Sequence, residues 1–510
     1  MKLETFFEKF DQFADAPNAV AKMRELLIHL AVDGKLVPNN PAEKPVGLKL
    51  SGTSDDDSSL PANWRSGFFG DAFSLEYGDN LPAPTRSGSG EYPVYGSNGI
   101  VGTHNAYLTR EPAIIVGRKG SAGALNIATG PSWTTDVAYF VRPPSDLDLR
   151  FTYYLLSSLR LDELGKGIKP GLSRKETYAL PIALPPLAEQ KRIVGKVDEL
   201  IALCDRLEAQ QQERETRHAA LARASLARFA DAPTPANLHH LFYPAYTISP
   251  ADLRKSILTL AVRGKLVPQD PNDEPADSLL ERVQAAKEAV ILERIIRRSD
   301  EVEYSEPDDL IEALPGWVWV HVHDVAIVQG GKRLPNGAVF SEAPTPHVYI
   351  RVTDMKNGTI SQTGLRYISQ EVQREIARYI INKEDLYITI AGTIGDVGFV
   401  PDALDGQNLT ENAAKIVFRG FEKRFFQLAL ASDFVRAQFI DKTKQMAQPK
   451  LALKRIAGAK FCLPPLAEQR RIVAKVDQLM ALVNQLETQL TASRATAANL
   501  LEALVTELTA

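Results

Sequence analysis

A chain of 510 residues is too long for a single hydrophobic core and should divide into two or more domains. With 44% hydrophobic and 24% charged residues, its composition is that of a folded globular protein and excludes wholesale disorder. The formal net charge of −4, from 59 basic and 63 acidic residues, does not advertise a nucleic-acid binder, so any such role must rest on local patches or on partner subunits.

The opening MKLETFFEKFDQF lacks the apolar core of a signal peptide, and no 18-residue apolar run occurs, so neither secretion nor membrane insertion is expected. Cys204 and Cys462 have no metal-ligand spacing and no disulfide framework, and a reducing cytoplasm suits them. Met23 to Ala31 forms an amphipathic helix that Gly34 should end, within the block LAVDGKLVP, Leu30 to Pro38. A polar linker follows, Ser51 to Ser59. LPANW at Leu60 then opens a globular segment with Gly-punctuated strands, Glu91 to His104 and Ala113 to Gly123. It closes through a helix, Phe151 to Leu164, and a basic loop that leads to Pro185-Pro186. Behind the proline pair runs LPPLAEQKRIVGKVDELIALCDRLEAQ, Leu184 to Gln210, a long helix with apolar residues at Ile193, Val197, Leu200, Cys204 and Leu207.

The second half says much of this again. FADAP recurs from Phe13 at Phe229, and LAVRGKLVP at Leu260 to Pro268 follows an amphipathic stretch, Leu253 to Ala261. An added segment, Leu279 to Arg298, reads as an extra helix whose Arg294, Arg297 and Arg298 could touch a phosphate or a partner but suit a solvated face better. LPGW at Leu314 opens a second β-rich segment containing His347 to Ile360 and Asp385 to Val400, closed by a helix, Phe425 to Ile440. LPPLAEQRRIVAKVDQLMALVNQLETQ, Leu463 to Gln489, ends the pattern, with Ile472, Val476, Leu479, Val483, Leu486 and Leu490 in the same register. Four matched blocks in one order establish an internal duplication, while the globular segments between them share layout but little sequence. The a/d seams ask for partners along their length. Two readings are open: each helix packs on its own domain, or the two helices pair with each other. Near-identity favours the pair. Each helix is tied to its globular segment at its N-terminal end, so antiparallel pairing sets the two segments at opposite ends of about 60 Å of helix.

Catalytic constellations are not expected. The Pro-Pro pairs follow Leu or Arg and not the Asn or Asp of an amine methyltransferase pocket. GTIGDVG, Gly392 to Gly398, reads as a turn, and GRKGSAG, Gly117 to Gly123, lacks the ending of a phosphate-binding loop. Pro401-Asp402 begins a nuclease-like string that no nearby Glu-x-Lys completes, and the eight histidines are scattered.

LPPLAEQ-[KR]-RIV opening a long helix, present twice, resembles the conserved regions of the specificity (S) subunit of type I DNA restriction-modification enzymes. YPVYGSNGIVG, IIVGRKGSAG and GIKPGLSRKETYALPIALPPLAEQ resemble one target-recognition domain; YIRVTDMKNG, AGTIGDVG, GQNLTENAAKI and MAQPKLALKRIAGAKFCLPPLAEQ resemble the other. The resemblance implies an α+β fold: two mixed, β-rich target-recognition domains separated by a pair of long antiparallel coiled-coil helices, with a pseudo-two-fold internal repeat. The segments are then a helical stretch at 1–50, recognition domains at 60–183 and 313–462, conserved helices at 184–230 and 463–510, and a linker with a helical segment at 231–312. It further implies a non-catalytic chain whose heads bind the two halves of a bipartite, asymmetric site on double-stranded DNA. Two modification (M) subunits methylate adenine N6 there and motor-nuclease (R) subunits cleave. S-adenosylmethionine, ATP and magnesium belong to those partners and none to this chain, and no membrane is involved. A self-contained DNA-modifying enzyme and a coiled-coil scaffold without DNA specificity are the competing readings.

The candidate DNA-binding residues follow from that frame. Lys166, Lys169, Arg174 and Lys175 before the first Pro-Pro, and Lys444, Gln448, Lys450, Lys454 and Arg455 before the second, are phosphate-binding candidates. Ser97, Asn98, Arg118 and Lys119 in one head, and Lys332, Arg333, Arg351, Gln407, Asn408 and Asn412 in the other, have side chains suited to base edges. Solvated surface charge and turn-forming asparagines are the plain alternatives. Glu189, Lys191, Arg192, Glu468, Arg470 and Arg471 are expected to point outward as the docking face for M subunits.

Overall fold

The computed structural model describes residues 9–14, 16–51, 60–86, 89–165, 171–232, 234–242, 247–293, 302–307, 312–439 and 450–509. Lys166, Lys169, Lys444 and Gln448 lie outside these, as do Arg294, Arg297 and Arg298. The chain forms two compact units, residues 1–215 with 491–510, and residues 216–490. The six sequence segments separate types of element; the compact units cut across them.

Unit 1 begins with helix α1 (Ala19–Val32). Gly34 ends it at φ +71°, with the Lys35 N–H returned to Leu30 O. A Cβ at Gly34 would sit 3.2 Å from the Trp64 ring, so glycine meets both the left-handed turn and the approach of the indole. The head then runs β1 (Arg65–Phe68), β2 (Glu76–Tyr77), β3 (Tyr92–Gly96), β4 (Gly99–His104), β5 (Ala113–Gly117), β6 (Leu125–Ala128), β7 (Trp133–Thr134) and β8 (Ala138–Val141). Helices α2 (Leu149–Ser158) and α3 (Arg174–Tyr178), strand β9 (Pro181–Leu184) and the long helix α4 (Leu187–Asp231) follow. One sheet has the order β2-β8-β5-β6 and a second β4-β3-β7, and β1 pairs with β9. Strands β5 and β8 are buried along their whole length, between the second sheet and α2, and read accordingly as unbroken apolar runs.

Unit 2 takes in the end of α4 from Thr216 and continues with α5 (Pro250–Val262) and α6 (Ala276–Glu293). Its head runs β10 (Val318–His321), β11 (Ala326–Gly330), β12 (Val348–Ile350), β13 (Met355–Lys356), β14 (Thr359–Ile360), β15 (Arg366–Tyr367), β16 (Ile380–Ile381), β17 (Leu386–Thr389), β18 (Val397–Phe399), β19 (Gln407–Leu409) and β20 (Ala413–Phe418). Helices α7 (Lys423–Ala431) and α8 (Leu453–Ala457), strand β21 (Lys460–Leu463) and the helix α9 (Leu466–Thr509) follow, α9 passing into unit 1 at Thr491. The sheets are β11-β20-β17-β18 and β15-β12-β19-β16, with β10 paired to β21. Both heads thus have one topology, down to a parallel pair in the second sheet, β3 with β7 and β12 with β19. Unit 2 adds the β13–β14 hairpin and β16, and α6 lays Leu279, Val283 and Val290 onto its head.

Within each unit, parts of the two long helices come together. Leu200 and Cys204 of α4 share a core with Met23, Leu27 and, from the end of α9, Ala497, Leu501 and Leu504. In unit 2 Phe229, near the end of α4, shares a core with Ile472, Val476, Leu479 and Val483 of α9. The seam needs a correction, however. Ile193 and Val197 lie in the core of head 1 with Trp64 and Phe151, and the four α9 residues lie with Leu253, Ile257, Phe426 and Phe461 of their own unit. Leu207 and Leu486 are half-buried at the edges of these cores, and Leu490 is only partly covered. A heptad pattern reports which face is apolar and not what covers it. For the first half of each helix, the cover comes from its own head.

Candidate nucleic-acid interface and its frame

Each head is held to its long helix by one network. In unit 1, Trp64 Nε1 donates to Glu189 Oε1 at 3.2 Å and Asn39 Nδ2 donates to Oε2 at 2.8 Å. Gln190 Nε2 donates to Pro185 O at 2.9 Å, while its Oε1 accepts from Asp148 N, the cap of α2, at 2.7 Å. Arg192 pairs with Glu43 in the loop beyond GKLVP. Unit 2 repeats the arrangement. Trp317 Nε1 donates to Glu468 Oε2 at 2.9 Å, Gln469 bridges Pro464 O and the Glu422 N–H at the start of α7, and Arg471 Nη2 meets Asp273 at 2.5 Å. The repeated blocks are therefore each other's contacts, which explains why they are written twice.

This overturns part of the expected docking face. Glu189 and Glu468 are 0% and 1% exposed and point inward, because an indole N–H and the apolar walls around it make a better site for them than solvent-facing positions would. Arg192 and Arg471 are engaged by their own unit's carboxylates. Lys191 and Arg470 remain exposed. The two networks differ at one atom. Gln269, at the place of Asn39, gives its amide to Pro315 O, and Glu468 Oε1 has no hydrogen-bond partner among the described residues. Burial accordingly pushes the Glu468 carboxyl above its ordinary value, against the opposing pull of Trp317 and Arg471.

On head 1, several predicted residues converge. A Cβ on Gly117 would lie 1.9 Å from Ser121 O and 2.5 Å from Ser97 O, so the Ser97-Asn98 turn is pressed against the glycine turn carrying Arg118 and Lys119. The Lys119 strand edge bridges to Gly171, at the start of the segment leading to Arg174 and Lys175. Arg118 Cζ stands 4.9 Å and Arg174 Cζ 5.3 Å from the centroid of Tyr77, a residue 52% exposed. Two guanidiniums against one exposed ring make a preformed cationic and aromatic surface. Hydrogen bonding with Tyr139 and then Arg174 holds the Tyr77 phenol below its ordinary value. Tyr77 was not among the sequence candidates; its only signal was an aromatic just before a Gly-Asp turn.

Head 2 builds its surface around Glu411. Arg333 Nε meets Glu411 Oε1 at 3.0 Å, Tyr349 OH donates to Oε2 at 3.2 Å, and Lys450 Nζ donates to the Glu411 carbonyl at 2.7 Å. Lys332 Nζ lies 5.7 Å from the Tyr379 ring centroid, and Asn412 is next to Glu411 in the chain. Burial drives the Tyr349 phenol up to about 12. The other candidates have internal employment. Arg351 grips Asp354 at 2.6 Å and Gly364 O at 3.0 Å. Gln407 Oε1 accepts from Val348 N, and Asn408, 1% exposed in β19, donates to Ile376 O. Asn408 is corrected from a base reader to a support of the second sheet, since a short strand can bury an amide that finds a carbonyl, while Arg351 and Gln407 are half-buried and bonded within the head. Arg455 and Lys454 share Glu303, at 2.9 and 3.7 Å.

Among the described residues no group of three or more His, Cys, Asp or Glu is placed to hold a metal ion, and no helix is long and apolar enough to cross a membrane. Comparison with known proteins adds the following. The family model described as type I restriction modification DNA specificity domain matches twice, over residues 61–215 and 315–493. The chain is similar to the type I restriction enzyme EcoAI specificity subunit of Escherichia coli, 25% identical over 569 residues that cover 95% of this chain and 93% of the relative. It is 24% identical over 573 residues to the EcoEI specificity subunit of the same species, with coverage of 95% and 93%. A chain from a solved structure described as "Structural basis underlying complex assembly and conformational transition of the type I R-M system" superposes with a TM-score of 0.52 at 16% identity. The match covers 88% of this chain and 98% of that one, and it bears on the fold alone.

Proposed function

From the premise that the chain belongs to the type I restriction-modification DNA specificity family, we propose that each of its two heads reads one half of a bipartite, asymmetric DNA site. The observation that carries this is a pair of heads with one topology and unlike surface chemistry, Tyr77 with Arg174 in one, Glu411 with Arg333 and Tyr349 in the other. Duplicated scaffolds with different surfaces suit two different half-sites. Guanidinium and ammonium groups supply phosphate attraction and hydrogen bonds to base edges.

In this reading the chain performs no bond chemistry. Two modification subunits bring S-adenosylmethionine and methylate adenine N6 in each half-site, and motor-nuclease subunits with ATP and magnesium cleave unmodified DNA. Lys191 and Arg470, exposed at matching points of the two long helices, are the charges offered for docking. The site of action is the cytoplasm. The test is to map methylated adenines in a host that expresses this chain with its modification subunit. One bipartite motif is expected, and methylation that persists unchanged after deletion of this chain would sink the reading.

A further inference from the structure

The two heads can be aligned by their backbone hydrogen bonds where their sequences give no guide. In head 1, Arg118 N and Lys119 N both donate to Val137 O, at 2.9 and 3.0 Å, Gly123 N closes the turn onto Gly117 O, and Leu172 N donates to Arg118 O. In head 2, Ile390 N and Ala391 N donate to Asn412 O, at 2.9 and 3.2 Å, Gly395 N closes onto Thr389 O, and Leu451 N donates to Ile390 O. Arg118 therefore corresponds to Ile390, and Asp136 corresponds to Glu411. Gly171 corresponds to Lys450 through the residue that follows each.

At this shared position each head has one cation, but from a different place in the chain. Arg118 Nη1 donates to Asp136 O at 2.9 Å, and Lys450 Nζ donates to Glu411 O at 2.7 Å. Head 1 has glycine where head 2 has Lys450, and head 2 has isoleucine where head 1 has Arg118. A carbonyl at the protein surface needs no charged donor, since water serves it. Neither cation is paired with a carboxylate among the described residues: Arg118 lies over the Tyr77 and Tyr139 rings and Lys450 reaches a backbone carbonyl, so neither charge is neutralised.

We propose that Arg118 and Lys450 are equivalent phosphate anchors, one per head, that fix register on the DNA backbone while neighbouring residues that differ between the heads read bases. The proposal rests on the DNA-reading function above. A monodentate ammonium serves a phosphate but lacks the guanidinium's fork, so a role shared by Arg118 and Lys450 is charge neutralisation at one point.

The test uses the complex of this chain with its modification subunits and DNA carrying the mapped motif, with affinity measured across a salt series. Arg118→Gln and Lys450→Gln should each reduce the slope of log affinity against log salt by about 1, and the double variant by about 2. Each should weaken motif and non-motif DNA by the same factor, leave the methylated motif unchanged, and be rescued by Arg118→Lys or Lys450→Arg. An unchanged slope, or a changed base preference in one half-site, overturns the anchors. A wild-type complex that binds all DNA alike would sink the DNA-reading function itself, which is a different result.

Discussion

The frame and the reading surfaces of this protein are duplicated in opposite ways. In the frame, Trp64 with Glu189 and Gln190, and Trp317 with Glu468 and Gln469, repeat both residue and bond. On the surfaces, the turn at Arg118 and the turn at Ile390 repeat the bonds without the residues. Side chains that grip one another must change together, whereas backbone amides hold a turn for any side chain that tolerates its dihedrals. The frame is thus constrained from within, and the surfaces are free to acquire different chemistry on one topology.

The largest expected effect separates frame from surface altogether. Exchanging residues 60–180 for the corresponding segment of another family member should replace one half of the methylated motif and leave the other half intact. Methylation mapping reads this, and a change in both halves would break the division. Next in size, Trp64→Ala and Trp317→Ala should each cost about 3–5 kcal/mol, because a buried indole is lost and a buried carboxylate loses its donor. Urea unfolding checks this, and a variant as stable as the parent would show that the network is not what holds the head.

A smaller pair of substitutions tests the one atom at which the frames differ. Glu189→Gln should cost about 1–3 kcal/mol, since both carboxylate oxygens accept and an amide leaves one donor facing another. Glu468→Gln should cost less than about 1 kcal/mol, its amide nitrogen taking the side of Oε1. The pH dependence has a definite sign. With the folded Glu468 raised above its ordinary value, its stabilisation is full below the unfolded value and is lost as pH rises through the folded one. Urea midpoints of the parent should therefore fall across that window, and those of Glu468→Gln should fall less. Equal slopes would contradict the assignment. The smallest effect belongs to the exposed pairs. Arg24 bonds Asp205 and Glu208, and Arg254 bonds Asn484 and Glu487, so replacing either arginine with alanine should cost about 0–1 kcal/mol by the same measurement.

What the sequence revealed follows the same division. Matched blocks and helix seams were legible because repetition and periodicity register in side chains. Their contacts were not: Glu189 reads as outward because three charges in four residues look like a solvated face, and nothing local says that Trp64 comes to meet it. The shared layout of the heads was legible but their common strand order was not, because strands as short as Trp133–Thr134 carry no period. Asn408 looked like a loop residue among polar neighbours, although β19 buries it against Ile376 O. Arg351 and Asp354, three apart, were an ion pair in plain view. Tyr77 was missed because an exposed aromatic acquires meaning only when two distant arginines close on it.

The core that α1 starts with Met23 and Leu27 is finished by Ala497, Leu501 and Leu504. A ribosome delivers those last residues only after the whole of unit 2. At about 5–20 residues per second, the wait is on the order of tens of seconds. Until those residues arrive, the face of α1 that carries Met23 and Leu27 lacks the part of its cover that α9 supplies.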